Sequence, residues 1–233
     1  MAEHLVFQLA ASMAAMGDLA GHERRGSLAW PGRSALIGLM GAALGIRRDG
    51  DFTALEALTI SVAVFSSGEV LRDYHTVETV PSAAARRPQS RPEALRAARG
   101  RTNTTVTLRD YRVGVLYGVA VTGLGLPPVA EALRRPTFAS YLGRRSCPLA
   151  APLDPRIVDA PDAAAALAQL RLPPWWQGAR ARVLVTDAAA AAPGARVELR
   201  HDRATDRRAW HFAAREVALV PVDIAPATAG AAA

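Results

Sequence analysis

A strand at residues 4–10, a buried helix from residue 34, strands at 59–65 and 70–74, further strands at 102–108 and 112–121, and a helix at 127–135 follow one another along the chain. This β-α-β-β…β-α order predicts an α+β fold on a ferredoxin-like (RRM-like) sheet. Four short β-branched runs at 181–185, 196–199, 208–212 and 217–222 predict a small β-rich C-terminal part. At 233 residues, half of them apolar, the chain can bury a substantial core in one large domain or two small ones. The expected division is 1–150 and 151–224, with 225–233 as an aperiodic, disordered tail.

Residues 4–10 (HLVFQLA) alternate enough to form a strand. Residues 11–30, with Gly17, Gly21 and Gly26, read as a long loop that carries Arg24 and Arg25 as candidate phosphate contacts. Pro31 and Gly32 keep the chain out of a helix until Ser34, whose hydroxyl suits an N-cap. Leu36, Ile37, Leu39, Met40 and Leu44 then cover most of the helix circumference, so this helix is buried. Gly38, Gly41 and Ala42 leave flat spots for close packing, and Gly45 suits the C-terminal cap. The run is shorter than the roughly 20 apolar residues of a membrane span. It also lacks the G-x-x-x-x-G-K-[ST] of a phosphate loop. Free N–H groups and the helix dipole nevertheless make Arg33 and Ser34 candidate phosphate ligands.

Residues 51–57 read as a short second helix, 66–69 (SSGE) as a turn between strands, and Asp110 as a break between two more. Residues 78–102 differ in character, with three prolines, arginines at 86, 87, 91, 96, 99 and 101, and few large apolar side chains. Such a segment buries too little surface to order itself alone. Pro127 starts a helix that Pro136 ends. Residues 141–148 form a basic loop, 162–170 an alanine-rich helix, and 173–176 (PPWW) a stiff turn.

The net charge is +7 and the pI about 10.8, and every one of the 28 cationic residues is arginine. Arginine's planar fork binds two phosphate oxygens and stacks on bases, so a nucleic acid is the expected partner rather than a membrane. The one cysteine, Cys147, excludes an internal disulfide. Residues 5–15 are interrupted by Gln8 and Ser12 and preceded by no basic run, so no signal peptide and a cytoplasmic location are expected. The histidines and Cys147 match no C-x-x-C or H-x-x-x-H spacing, so no metal and no cofactor are expected.

The loop Gly143-Arg144-Arg145-Ser146-Cys147 offers backbone N–H groups, two guanidinium forks and a hydroxyl within one turn, a set suited to a kinked single strand. Cys147 beside two arginines also has the setting of an activated thiolate, although free cysteines are more often buried. His75 is the best general-base candidate and, with Tyr74 and an arginine, could be drawn as a metal-independent ribonuclease. Stacking or hydrogen bonding to RNA is the alternative role for both. No strand carries the R-G-F-G-F type of motif found in general RNA-recognition-motif proteins.

Four blocks carry a family resemblance. Residues 31–49 (PGRSALIGLMGAALGIRRD) resemble P-[TG]-[KR]-S-x-[VL]-I-G-L-[LM]-x-A-A-L-G-I-x-R-x-[DE]. Residues 73–77 (DYHTV) and 142–148 (LGRRSCP) are similar to D-Y-H-T-V and L-G-R-[KR]-S-C-[PV]. Arg200-His201-Asp202, Trp210-His211-Phe212 and Arg215-Glu216-Val217 resemble a closing R-x-D…R-x-F-x-x-R-x-V run. In this order they are the signature of the CasD family, RAMP-type subunits of the type I-E CRISPR surveillance complex, Cascade. The family's L-Q-S-W-G-like segment is replaced here by Met13-Ala14-Ala15-Met16-Gly17.

The resemblance implies a RAMP domain whose residues 78–102 form an extended thumb. It implies a non-catalytic subunit that caps the crRNA 5′ handle of the guide RNA. Contacts with the large subunit and a backbone subunit follow, and with target DNA through the complex. Related type I-C subunits process guide RNA with a Tyr/Lys/His-like constellation, which this lysine-free chain lacks. The candidate RNA-binding set is Arg24, Arg25, Arg33, Ser34, Tyr74, His75, Arg101, Arg109, Arg144, Arg145, Ser146 and Cys147, with no catalytic residue.

Overall fold

Among the described residues of the computed structural model (1–20, 23–85, 87–191 and 195–226), nine strands join one sheet. His22, Arg86 and residues 227–233 of the expected tail lie outside them. The strands are β1 (Ala2–Ala14), β2 (Gly17–Ala20), β3 (Arg24–Ser27), β4 (Thr59–Thr79), β5 (Asn103–Thr122), β6 (Arg156–Ala160), β7 (Ala181–Asp187), β8 (Arg196–Asp206) and β9 (His211–Ile224). The helices are α1 (Arg33–Ala43), α2 (Thr53–Glu56), α3 (Arg91–Ala98), α4 (Leu126–Arg134) and α5 (Ala163–Leu167).

Strands β6, β1, β5 and β4 lie side by side, every pair antiparallel, and α1 and α4 fall between them in the chain order β1-α1-β4-β5-α4-β6. Beyond β4 the sheet continues through β7, β9 and β8, while β3 pairs with β5 past the end of β1. Successive residues of a strand face opposite sides. Leu5, Phe7 and Leu9 with Val115, Tyr117, Val119 and Val121 meet α1 and α4 on one side. Val6, Ala10, Leu116 and Ala120 meet Ala166 and Leu167 of α5 on the other. Both sides are covered, which is why residues 115–121 read as an unbroken apolar run. Tyr117 is fully buried and donates its hydroxyl to the Ala29 carbonyl (2.8 Å), tying the sheet to the loop before α1.

Several expectations change. Residues 11–14 are strand, because they pair with Arg112–Val115 of β5, and β2 and β3 occupy much of the expected loop. The SSGE segment is not a turn and Asp110 is not a break: β4 and β5 pair from Thr59↔Thr122 to Thr79↔Asn103. An irregularity between Val64 and Ser66 and a left-handed Gly68 (φ +67°) absorb the local strain. A Cβ at Gly68 would run into the Val113 carbonyl of the neighbouring strand. The arginine-rich segment contains an ordered helix, α3, begun by a capping box. Ser90 Oγ accepts from Glu93 N (3.4 Å) and Glu93 Oε2 from Gln89 N (3.0 Å). Residues 208–210 belong to a turn, and the last two expected strands merge into β9.

The organising helix starts at Arg33, with Gly32 rather than Ser34 as its N-cap. Its cap comes from the far end of the chain: Asp202 Oδ2 accepts from Arg33 N (2.8 Å). At the other end Gly45 (φ +79°) follows the last turn, with Gly45 N bonded to Ala42 O and Ile46 N to Gly41 O, a Schellman closure.

Candidate nucleic-acid interface

A groove of about 1120 Å³ runs along the exposed side of α1. Gly38, Leu39 and Ala42 form its floor, and the glycines and alanines keep that floor low. One wall is the β2–β3 segment with Arg25 and the 140–144 loop with Arg144; the other is the β8–β9 hairpin with Arg200, Trp210 and Phe212. Arg48 and Arg207 also line it. The arginines are braced by rings: Arg144 stands 4.4 Å over Tyr111, Arg200 4.6 Å over Trp30, Arg207 4.2 Å over Phe52 and Arg48 4.3 Å over Trp210. Braced guanidiniums lose less side-chain entropy when they take an anion, and the planar forks can stack on unstacked bases.

The Arg144 wall is positioned by backbone. Leu142 N bonds to Cys147 O (2.9 Å), Cys147 N to Arg144 O (2.8 Å), and Ala15 N to Leu142 O (3.0 Å). Gly143 sits at φ +81°, and a Cβ there would collide with the Ala15 carbonyl. The Met13-Ala14-Ala15-Met16-Gly17 segment is therefore the seat of the 141–148 loop. Gly143→Ala should lower the melting temperature and, with it, RNA affinity, since the loop must lift from Ala15; unchanged melting would show that the seat yields freely. Strain of this type costs of order 1–3 kcal/mol.

Of the residues singled out in sequence, Arg25, Ser34 and Arg144 meet on the groove. Arg145 and Ser146 are exposed beside it on the same loop. Arg109 pairs with Arg25 in the β3–β5 register and shares its strand face with Tyr111, the ring under Arg144. Arg109 Nε and Arg144 Nη1 are buried without a hydrogen-bond partner. Arg101 is exposed far along the ribbon and donates to Ala98 O.

At four positions the structure engages the singled-out groups internally. Arg33 is buried and its guanidinium is engaged internally: Nη2 donates to Glu56 O (2.7 Å) and Leu58 O (2.8 Å), and Nη1 faces Asp187 (3.4 Å). The α1 N-terminus is already occupied by Asp202, whose carboxylate is held by Arg215. A phosphate at Arg33 would have to displace it. Cys147 is completely buried and packs against Ala15 and Tyr111. Arg24 turns away from Arg25 to the other sheet face, where it and Arg72 grip Asp110 (2.9 and 2.8 Å).

Tyr74 and His75 are neighbours on β4, so they project from opposite faces of the ribbon; Tyr74 lies opposite Leu108 and His75 opposite Thr107. His75 has Asp73 at 4.0 Å on its own face. Arg48, Arg200, Arg207, Trp210 and Phe212 were missed as site residues, although Trp210 and Phe212 belong to the quoted closing motif. Alternation of arginine with aromatic residues was the available signal.

The Arg72 hydrogen bond, with Arg24 assisting, depresses the Asp110 pKa to about 2. The folded-state value lies below the ordinary 3.8, so the stabilisation is present above pH ~4 and is lost as the pH falls through about 2. Asp110→Asn should flatten the acid limb of the stability curve over that window in a melting series; an unaltered limb would show that the pair contributes nothing.

Among the described residues no cluster of three or more His, Cys, Asp or Glu is arranged to hold a metal, and no helix is long and apolar enough to cross a membrane. Residues 4–218 match the family model described as "CRISPR-associated protein (Cas_Cas5)". The chain is 34% identical over 170 residues to the CRISPR system Cascade subunit CasD of Escherichia coli (strain K12), covering 66% of this chain and 70% of that one. A solved structure titled "CRISPR RNA-guided surveillance complex" superposes with a TM-score of 0.70 at 25% identity, over 97% of this chain and 93% of its counterpart. A "Crystal structure of Cas protein" shares the fold (TM-score 0.60, 23% identity, 96% and 97% covered). The four sequence blocks and these matches agree: the chain belongs to the CRISPR-associated Cas_Cas5 family, in its CasD branch.

Proposed function

We propose that this chain is the guide-RNA-binding CasD-type subunit of a type I-E Cascade, capping the crRNA 5′ handle with the groove along α1. One observation carries the reading: five arginines, four of them braced on aromatic rings, converge on a cleft in a CasD-family chain. The strand order β6-β1-β5-β4 with two intervening helices supports a ferredoxin-like, RRM-like RAMP domain of residues 1–150 whose fourth strand, β6 (Arg156–Ala160), comes from beyond residue 150. The 151–224 part serves as its β-rich appendage and returns β6 to the sheet edge. The paired ends of β4 and β5 with residues 78–102 act as the arginine-rich thumb, reaching the backbone subunit and the RNA. The large subunit packs beside the handle, target DNA is met through the complex, and the site is in the cytoplasm.

The subunit holds RNA without cutting it. Tyr74 and His75 point to opposite sides of a two-stranded ribbon, so they do not converge on one phosphate. Purified protein should leave repeat RNA intact with or without divalent metal, as followed on denaturing gels. Site-specific cleavage lost on His75→Ala would replace this reading with that of a processing endoribonuclease. The binding test is co-purification of guide RNA with the subunit and its Cascade partners; its absence would overturn the role.

A further inference from the structure

We propose that Trp210 and Phe212 form a stacking subsite for one unstacked base of the bound single-stranded RNA, an inference that rests on the RNA-binding role above. Their rings lie within 25° of parallel with centroids 6.0 Å apart, both on the groove wall. Trp210 is 53% exposed and Phe212 36%, beside the closed apolar cores that α1, α4 and α5 cover. Two large rings left in water on a cleft wall offer a surface that a flat apolar partner would cover.

The hairpin holds Trp210 there at a cost. Asp206 Oδ1 accepts from Arg208 N (2.7 Å) and Ala209 N (2.9 Å), and the turn they close leaves Trp210 at φ +56°. A bulky residue in the left-handed region is strained, and such strain persists where the surrounding structure imposes it. On the groove floor Gly38 presents no side chain, and a Cβ there would meet only the Arg207 guanidinium, at 3.9 Å, outside its own helix. The rim chooses the ligand. Arg48 lies over Trp210, and Arg25 and Arg144 add cationic charge along the rim, while Arg200 and Arg207 are paired with Glu198 and Glu56; this border suits a phosphodiester strand better than an apolar peptide. The volume, about 1120 Å³, admits a base with its sugar and flanking phosphates.

The test is a double-mutant cycle in the assembled complex. Wild type and Trp210→Ala are titrated with single-stranded RNA carrying the repeat-derived 5′ end of the guide, intact or with one abasic site moved along it. Expected are a roughly tenfold loss for Trp210→Ala on intact RNA, the size of one base–aromatic stack. The same loss should follow for wild type at one abasic position, with no further loss when the two are combined there. Trp210→Phe should retain most of the affinity. Photocrosslinking of 5-bromouridine RNA to wild type should map to Trp210 or Phe212 at that position, which keeps the test alive should the alanine variant misfold. Losses that simply add at every position, or none at all, overturn the subsite while leaving RNA binding intact. So does normal RNA affinity with failure to retain a partner subunit, which would make the patch a protein-docking face. Failure of wild type to bind any of the RNAs would instead overturn the RNA-binding role itself.

Discussion

Arg33→Ala should destabilise the protein by about 3–5 kcal/mol, the cost of removing one member of a buried ionic network. Arg33 donates to the carbonyls of Glu56 and Leu58 and faces Asp187, and Asp187 is shared with Arg215, which also holds Asp202. Asp202 in turn caps α1, and Glu56 also pairs with Arg207 (2.9 Å). The Arg33 guanidinium therefore links α1 and α2 to β7, and through Arg215 to β8 and β9. Its loss leaves two carbonyls without their donor and Asp187 with one cation fewer. For a chain of this size, a melting temperature lower by about 10 °C is expected. Arg33→Lys should recover only part, since an ammonium cannot span all three partners. A melt within a degree or two of wild type would show the network to be dispensable, and would reopen Arg33 as a ligand for RNA.

The second large effect is on affinity. Arg25→Ala, Arg144→Ala and Arg145→Ala should each weaken binding to the guide RNA by roughly 1–3 kcal/mol, as expected for a lost charge-assisted hydrogen bond. Each should also make the log-affinity against log-salt slope shallower by about 0.7. The three differ in the free protein. Arg145 is exposed, and its removal should leave the melting temperature unchanged. Arg144 rests on Tyr111, so its loss removes a contact worth roughly 0.5–1 kcal/mol as well. Arg→Lys should preserve most of the slope but not the forked geometry. Titrations at several salt concentrations, paired with melts, separate these cases. Intact slope and affinity in all three variants would mean that the groove rim carries only solvated charge.

The sequence by itself determined the places of α1 and α4, the buried character of residues 34–44, the basic all-arginine balance and, through its four motif blocks, the family. These are local properties, set by periodicity, capping chemistry and composition, and they are readable without knowing what packs on what. Even α3 was within reach, since Ser90 and Glu93 spell a capping box at the right spacing. Tertiary structure alone decided which charges are free. Arg33 and Arg144 look alike in sequence, each a guanidinium beside a glycine, yet a carboxylate 169 residues away caps the helix at Arg33 and three acceptors take its side chain. Arg144 is left on a groove rim. Tyr74 and His75 are adjacent in the chain yet project to opposite faces, because β4 runs unbroken and pleated. The continuity of β4 through a turn-like SSGE and of β5 through Asp110 was hidden for the same reason. A strand is stabilised by its neighbour across the sheet, and the Arg24 and Arg72 forks that make Asp110 tolerable inside a strand come from two other segments of the chain.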